Sequence, residues 1–186
     1  ESLKQGTLET FDIQGDIEVI PNFIDAKKYS TSFTDCQRSN MATEEERIVT
    51  HISNFRKVKR IPDVIKIFSK IQLEIPSKLI MVGEGPEKAS AERLCEELGI
   101  SDKVIFLGNS NEIDKILCFS DLFLLPSQSE SFGLAALEAM INKVPVISSN
   151  AGGIPEVNTE GVSGFLSDVG DINDMASKAI TILKND

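Results

Sequence analysis

The sequence predicts an α/β fold: a doubly wound, mostly parallel sheet with helices on both faces. Three observations carry that prediction. From Arg47 onward, short apolar runs alternate with amphipathic stretches across short loops rich in glycine and proline, the rhythm of repeated strand–helix–strand units. Several of these runs are continuous Val, Ile, Leu, Met and Phe rather than alternating patterns, as expected of strands covered on both faces. Polar residues and glycines gather where the strands end, on the side of such a sheet where ligands bind.

Arg47 to Ile52 reads as the first strand of this layer, and Ile61 to Ile75 as an amphipathic helix closed by Pro76. Lys78 to Val82 is a strand that runs into Gly83-Glu84-Gly85-Pro86. The helix after it has Pro86 near its start and Gly99 in the left-handed stop position. A strand from Lys103 to Leu107, a short helix from Glu112 to Phe119 and a strand from Asp121 to Leu125 come next. Ser131 to Asn142 is expected to be helical, Val144 to Ser148 and Ser163 to Leu166 to be strands, and Ile172 to Lys184 a final helix. The first 46 residues read differently. A weak helix precedes a strand at Ile17 to Ile20, which ends at Pro21-Asn22, and a polar loop covers Thr31 to Glu46. The division expected is a leading segment, 1–46, and a ligand-binding domain, 47–186.

Composition bounds what the domain can do. Its 186 residues, 41% hydrophobic and 26% charged, suffice for one well-formed core. A formal net charge of −10 speaks against a nucleic-acid grip, which needs clustered Lys and Arg. Any anionic ligand must be met by a local positive site. Cys36, Cys95 and Cys118 are odd in number with no C-x-x-C pair, and His51 is the single histidine. That pattern argues against a Cys/His zinc site and against a disulfide framework. His51 reads as a packed strand residue rather than a base. No apolar run nears the roughly 18 residues of a membrane span, and the start is not a signal peptide. A start at Glu1 without methionine is expected of a piece of something longer. The expectation is a cytoplasmic protein with no membrane association.

Four strand exits carry candidate chemistry. Ser53-Asn54-Phe55-Arg56-Lys57-Val58-Lys59-Arg60 holds four positive charges in five residues, either an anion site or a solvated basic loop. Gly83-Glu84-Gly85 allows close approach by a ligand or by another backbone, with a tight turn the favoured reading. No G-x-x-x-x-G-K-[ST] occurs, which excludes a P-loop. In the segment Leu124 to Glu138, free amides of Phe132, Gly133 and Leu134 at a helix start suit a diphosphate. Gly133 would leave room there. Glu138, about six residues into that helix, lies roughly 9 Å along it, where a carboxylate can accept both hydroxyls of a ribose. Glu130 stands before the helix, on the side where a sugar would lie. The plain alternatives are a capping carboxylate for Glu130 and an exposed helix charge for Glu138. The fourth exit, Asn150-Ala151-Gly152-Gly153-Ile154-Pro155-Glu156-Val157, permits close backbone approach with Glu156 placed to open a helix.

Together these blocks resemble the carboxy-terminal, donor-binding half of retaining GT-B glycosyltransferases of family 4. Glu130 and Glu138 match that family's E-x7-E pattern, within Pro126-Ser127, Ser131-Phe132-Gly133 and Leu137-Glu138-Ala139-Met140. Val144-Pro145-Val146-Ile147, Gly152 to Val157 and Gly161-Val162-Ser163-Gly164-Phe165-Leu166 follow it, and Val82 to Pro86 and Val104 to Gly108 precede it. The match covers residues 17 to 184. Three further blocks, Ile20 to Asp25, His51 to Arg60 and Ser167 to Asp171, look most like the branch that glycosylates L-malate in bacillithiol biosynthesis.

The resemblance implies transfer of N-acetylglucosamine from UDP-GlcNAc to L-malate with retained configuration, with no cofactor, no metal and no covalent protein nucleophile. It implies that Lys59 and Glu130 are catalytic, Lys59 stabilising the leaving diphosphate and Glu130 holding sugar hydroxyls. Donor binding would fall to Ser53, Asn54, Arg56 and Gly83, to Leu107 and Asn109 beside the uracil, and to Ser131, Phe132, Gly133 and Leu134. Glu138 would hold the ribose. The family places an arginine five residues before its phosphate-binding lysine. Here that position is Asn54 and the nearby arginine is Arg56, which favours Lys59 for the phosphate role. An amino-terminal GT-B domain in cis would carry most of the acceptor site, so this chain alone should bind donor weakly and turn nothing over. A homo-oligomer of the full-length enzyme is compatible with this reading. The runner-up is another family-4 transferase with a different nucleotide sugar or a lipid or polysaccharide acceptor. A GT-B-like UDP-GlcNAc 2-epimerase, for which E-x7-E is the wrong signature, and a non-catalytic nucleotide-binding module rank lower.

Overall fold

The apolar runs are buried on both faces, because alternate residues of each strand feed two separate cores. In a computed structural model, which describes residues 1–25, Arg38 and 41–185, six strands form one sheet. They are β1 (Arg47–Ile52), β2 (Ser77–Val82), β3 (Val104–Gly108), β4 (Leu122–Leu125), β5 (Val146–Ser149) and β6 (Gly164–Ser167). All neighbours pair in parallel, in the order β3-β2-β1-β4-β5-β6. The helices are α1 (Ser2–Thr10), α2 (Ile61–Gln72), α3 (Lys88–Glu97), α4 (Ile113–Leu117), α5 (Leu134–Ile141) and α6 (Ile172–Lys184). The doubly wound parallel architecture expected from the sequence is the observed one.

Val49, Leu79, Met81, Leu122, Leu124 and Ile147 point to one face, where α2, α3 and α6 cover them. Val64, Ile67, Phe68 and Ile71 form the buried stripe of α2 at helical spacing and meet Met175, Ala179 and Leu183 of α6. On the other face, Phe123, Leu125 and Val146 pack with Ala136 and Ala139 of α5, while Ile48 and Ile80 pack with Ile116 of α4.

Boundaries follow local chemistry. Gly99 stands at φ +68, the left-handed stop expected after α3. Helix α2 ends at Gln72 rather than Ile75, leaving Leu73 87% exposed. Pro76 disfavours helical geometry at Ile75, which removes the last residue of the expected helix. The strand expected at Ile17 to Ile20 is not formed: the segment pairs with no strand, and Ile20 is 82% exposed. The stretch joins neither edge strand, β3 nor β6, and lies instead beside α1, Ser131 and Phe132. Most of the polar loop expected over 31–46 lies outside the described residues, and 41–46 carry neither helix nor strand. Cys95 is a buried thiol and Cys118 is disulfide-bonded. Among the described residues no helix is long and apolar enough to cross a membrane.

Strand order reverses between β1 and β4, so the loops leaving their carboxyl ends diverge and open a crevice. This topology positions everything that follows. Phe68 is fully buried between α2 and the sheet. Phe68→Ala is expected to cost about 3–5 kcal/mol, read as a lowered urea midpoint with an unchanged slope.

Candidate functional site

An open cleft of about 690 Å³ lies beyond the carboxyl ends of the strands. The exits of β1, β2, β3 and β4 all reach it. Ser53, Asn54 and Lys59 come from the first, Gly83 from the second and Asn109 from the third. Glu130, Ser131, Phe132 and Gly133 come from the fourth, and α5 adds Leu134 and Glu138. Two sequence candidates are not brought in. Arg56 is solvent-exposed, and Leu107 packs against the core of Ile48, Ile80 and Phe119.

Backbone contact sets the loop after β4. A Cβ on Gly152 would stand 2.2 Å from the Glu130 carbonyl oxygen, and one on Gly153 would stand 2.2 Å from that of Ser131. The Gly153 amide donates to the Glu130 carbonyl at 2.8 Å. The double glycine thus lets another backbone approach, and that backbone carries Glu130. The Gln128 amide donates to the Val58 carbonyl at 2.8 Å, holding the β4 exit against the β1 exit. Gly83 plays a similar part, since a Cβ there would strike the Ser53 carbonyl oxygen at 1.8 Å.

Helix α5 starts later than the sequence suggests. Gly133 caps it in the left-handed region at φ 89, ψ 47, so Ser131 and Phe132 belong to the loop and not to the helix. A Cβ at Gly133 would meet nothing closer than 3.8 Å; its backbone angle, rather than room for a ligand, requires glycine. Ala136 is the first helical amide with a backbone acceptor, the Gly133 carbonyl at 3.0 Å. The amides before it, on Leu134 and Ala135, lie at the cleft wall. Glu138 is half-buried four residues past Leu134, roughly 6 Å along the axis rather than 9 Å.

The basic loop contributes one cation to the cleft. Lys59 donates from Nζ to Glu130 Oε1, and the same oxygen accepts from Ser127 Oγ at 3.2 Å. Arg60 pairs with Asp63, while Arg56 and Lys57 are exposed. The concentrated anion site expected from four charges is therefore narrowed to Lys59, already partnered. The pair is well shielded, with side chains only 18% and 13% exposed. Sequence reasoning passed over Ser127, and over Asn22, Ser110 and Asn111, which also line the cleft. Ser110 and Asn111 extend the polar exit of β3 and were open to the strand-exit rule. Among the described residues no group of three or more His, Cys, Asp and Glu could hold a metal ion.

His51 is packed, as expected, and also polar-bonded. It is fully buried in β1, with Nδ1 2.8 Å from the Leu124 carbonyl oxygen and Nε2 2.8 Å from Ser53 Oγ. Burial brings its pKa down from 6.5 to about 4; the bond to Leu124 opposes the shift and the Lys59 charge assists it.

Residues 33–186 match the family described as glycosyl transferases group 1. The whole chain is 44% identical to N-acetyl-alpha-D-glucosaminyl L-malate synthase of Bacillus anthracis and spans 49% of that protein. The chain thus covers about half the length of this curated relative. Among solved structures, a Staphylococcus aureus TarM variant in complex with fondaparinux, alpha-GlcNAc-glycerol and UDP superposes with a TM-score of 0.84 at 28% identity. That match covers 100% of this chain and 36% of TarM. Anabaena HepE in complex with UDP and glucose gives 0.80 at 28% identity, over 90% of this chain and 47% of HepE.

Two outcomes follow from the geometry. Unfolded His51 takes a proton below 6.5 and folded His51 only near 4. Its stabilising contribution is therefore complete above 6.5 and is lost as pH falls from there toward 4, by about 3 kcal/mol. Denaturant unfolding across that window should show this component in the native protein and lack it in His51→Gln. Gly153 has an ordinary backbone at φ −86, ψ 0, so Gly153→Ala isolates the steric contact. It is expected to cost about 1–3 kcal/mol by overpacking, read by thermal unfolding.

Proposed function

The chain belongs to the group 1 glycosyl transferases, and from that premise we propose that it is the donor-binding half of a retaining transferase moving N-acetylglucosamine from UDP-GlcNAc to L-malate. The observation that carries this reading is the convergence of Lys59, Glu130, the amino end of α5 and Glu138 on one switch-point cleft. Identity with the malate synthase runs through the full chain, which supports the choice within the family.

In this reading the Lys59–Glu130 pair is the resting arrangement. A diphosphate offers Lys59 a stronger counter-charge, and Lys59 turns to it. Glu130 is then free to accept hydrogen bonds from sugar hydroxyls. The diphosphate lies against the Leu134 and Ala135 amides, where the helix dipole favours negative charge. Glu138, a helical turn further on, accepts from the ribose. As the bond from the anomeric carbon to UDP breaks, charge grows on the leaving oxygen. Lys59 and the amides are already aimed there, so little reorganisation is needed. The malate hydroxyl attacks from the face that the diphosphate leaves and passes its proton to the departing phosphate oxygen, which retains the configuration and releases UDP. No protein nucleophile and no cofactor enters the scheme. Residues 47–186 form the donor domain and 1–46 lead into it, while the acceptor is held by the remaining half of the longer enzyme.

Calorimetric titration with UDP, UDP-GlcNAc and GDP-mannose tests the donor. Both uridine ligands are expected to bind, and Glu138→Ala to weaken both by roughly tenfold or more, the scale of a hydrogen bond to a charged group. Preference for GDP-mannose would overturn the donor assignment. In the full-length enzyme, Lys59→Ala should lower kcat by about two to three orders of magnitude, as losing a preorganised charge-stabilising group does. Turnover of UDP-GlcNAc and malate by this chain alone would contradict the two-domain requirement.

A further inference from the structure

The single histidine of the chain sits directly beneath the cleft, and both its ring nitrogens are committed. Nδ1 lies 2.8 Å from the Leu124 carbonyl oxygen. A carbonyl oxygen can only accept, so Nδ1 carries the ring proton. The ring is fully buried, with Phe55 beside it at a centroid distance of 6.3 Å. Among the described residues no carboxylate bonds to it, and the charge that acts on it is the Lys59 ammonium. Both surroundings disfavour an imidazolium, and its lowered pKa agrees. A neutral ring protonated at Nδ1 has a lone pair at Nε2. The group 2.8 Å from that lone pair is the Ser53 hydroxyl, which must donate its proton there.

A serine hydroxyl has one proton and two lone pairs. Ser53 lines the cleft, but its proton is spent inward, on a group that no solvent reaches. We propose that Ser53 meets the cleft as a hydrogen-bond acceptor only, held so by His51, and therefore contacts a hydroxyl or N–H of the ligand and not an anionic phosphate oxygen. His51 is a positioning residue in this arrangement: it touches no ligand and sets the direction of a proton at a residue that does. The proposal rests on the nucleotide-sugar reading above for the ligand's identity, though not for the direction of the hydroxyl. It divides the cleft chemically. Phosphate oxygens belong with Lys59 and the amino end of α5, and Ser53 selects among the hydroxyl- and amide-bearing parts of the donor.

Because His51 is the only histidine, its two ring nitrogens can be read without assignment by long-range nitrogen–proton correlation on the nitrogen-15-labelled chain. The expected result is a proton on Nδ1 and a pyridine-type Nε2 near neutral pH. A proton on Nε2, or on both nitrogens, overturns the proposal whatever the ligand is. Binding of inorganic pyrophosphate and of UDP-GlcNAc to native protein and Ser53→Ala reads the consequence. Loss of an accepting oxygen should weaken UDP-GlcNAc by roughly three- to tenfold, the span of one net hydrogen bond, and leave pyrophosphate unchanged or tighter. Ser53→Thr, which keeps the hydroxyl, should restore UDP-GlcNAc binding. Equal losses for both probes would mean that Ser53 donates to phosphate, and would sink the proposal. If native protein binds pyrophosphate but no UDP-GlcNAc, the nucleotide-sugar reading fails, and the ring-nitrogen spectrum still decides the direction of the Ser53 hydroxyl.

Discussion

The contact on which the site depends is one of backbone against backbone. Gly152 and Gly153 have no side chains, so the loop after β5 lies directly on Glu130 and Ser131 of the loop after β4. Any Cβ at either position would occupy space taken by a carbonyl oxygen. With that contact made, the Gly153 amide fixes the Glu130 carbonyl, and Gly133 turns the chain through the left-handed region into α5. Glu130, the first amides of α5 and Glu138 then face one cleft. The sheet supplies the crevice, and the paired loops decide what lines it.

Electrostatics in the cleft are those of a partnered cation inside an acidic protein. The chain carries −10 overall, and the basic stretch after β1 does not act as a block. Arg60 is taken by Asp63, and Lys59 by Glu130 with Ser127 in support. A shielded pair of this kind keeps both side chains in place at the mouth of the site. In the proposed function, binding becomes an exchange of partners rather than a simple neutralisation, which ties the fate of Glu130 to that of Lys59. The His51 ring beneath them is held neutral by burial and by the same lysine, so the floor of the cleft brings no second charge.

Much of this was legible in the sequence, for identifiable reasons. Short unbroken apolar runs between turn signals, such as Leu122 to Leu125, favour a doubly covered strand, and Gly99 announces the end of α3. The strand-exit rule gathered nearly every candidate that lines the cleft. The preference for Lys59 over Arg56 also agrees with their placement, Lys59 inside and Arg56 exposed. What failed was local inference overridden by tertiary context. Ile17 to Ile20 has strand composition but lies beside α1, Ser131 and Phe132 and pairs with no strand. The helix is expected to open at Ser131, yet the turn at Gly133 moves the start to Leu134 and brings Glu138 closer to it. The pairing of Lys59 with Glu130 spans 71 positions of sequence, and no spacing argument reaches that far. The same is true of the bond from His51 to Leu124, which depends on β1 and β4 being neighbours.

The proposed function requires the cleft between the β1 and β4 exits to be a nucleoside-diphosphate site, with phosphates at the amino end of α5. A crystal structure of the chain with UDP tests it most directly. The expected result is the diphosphate within hydrogen-bond reach of the Leu134 and Ala135 amides, Lys59 swung from Glu130 toward it, and the ribose at Glu138. UDP bound elsewhere on the sheet, or in this cleft with Lys59 still on Glu130 and no contact to α5, would contradict it.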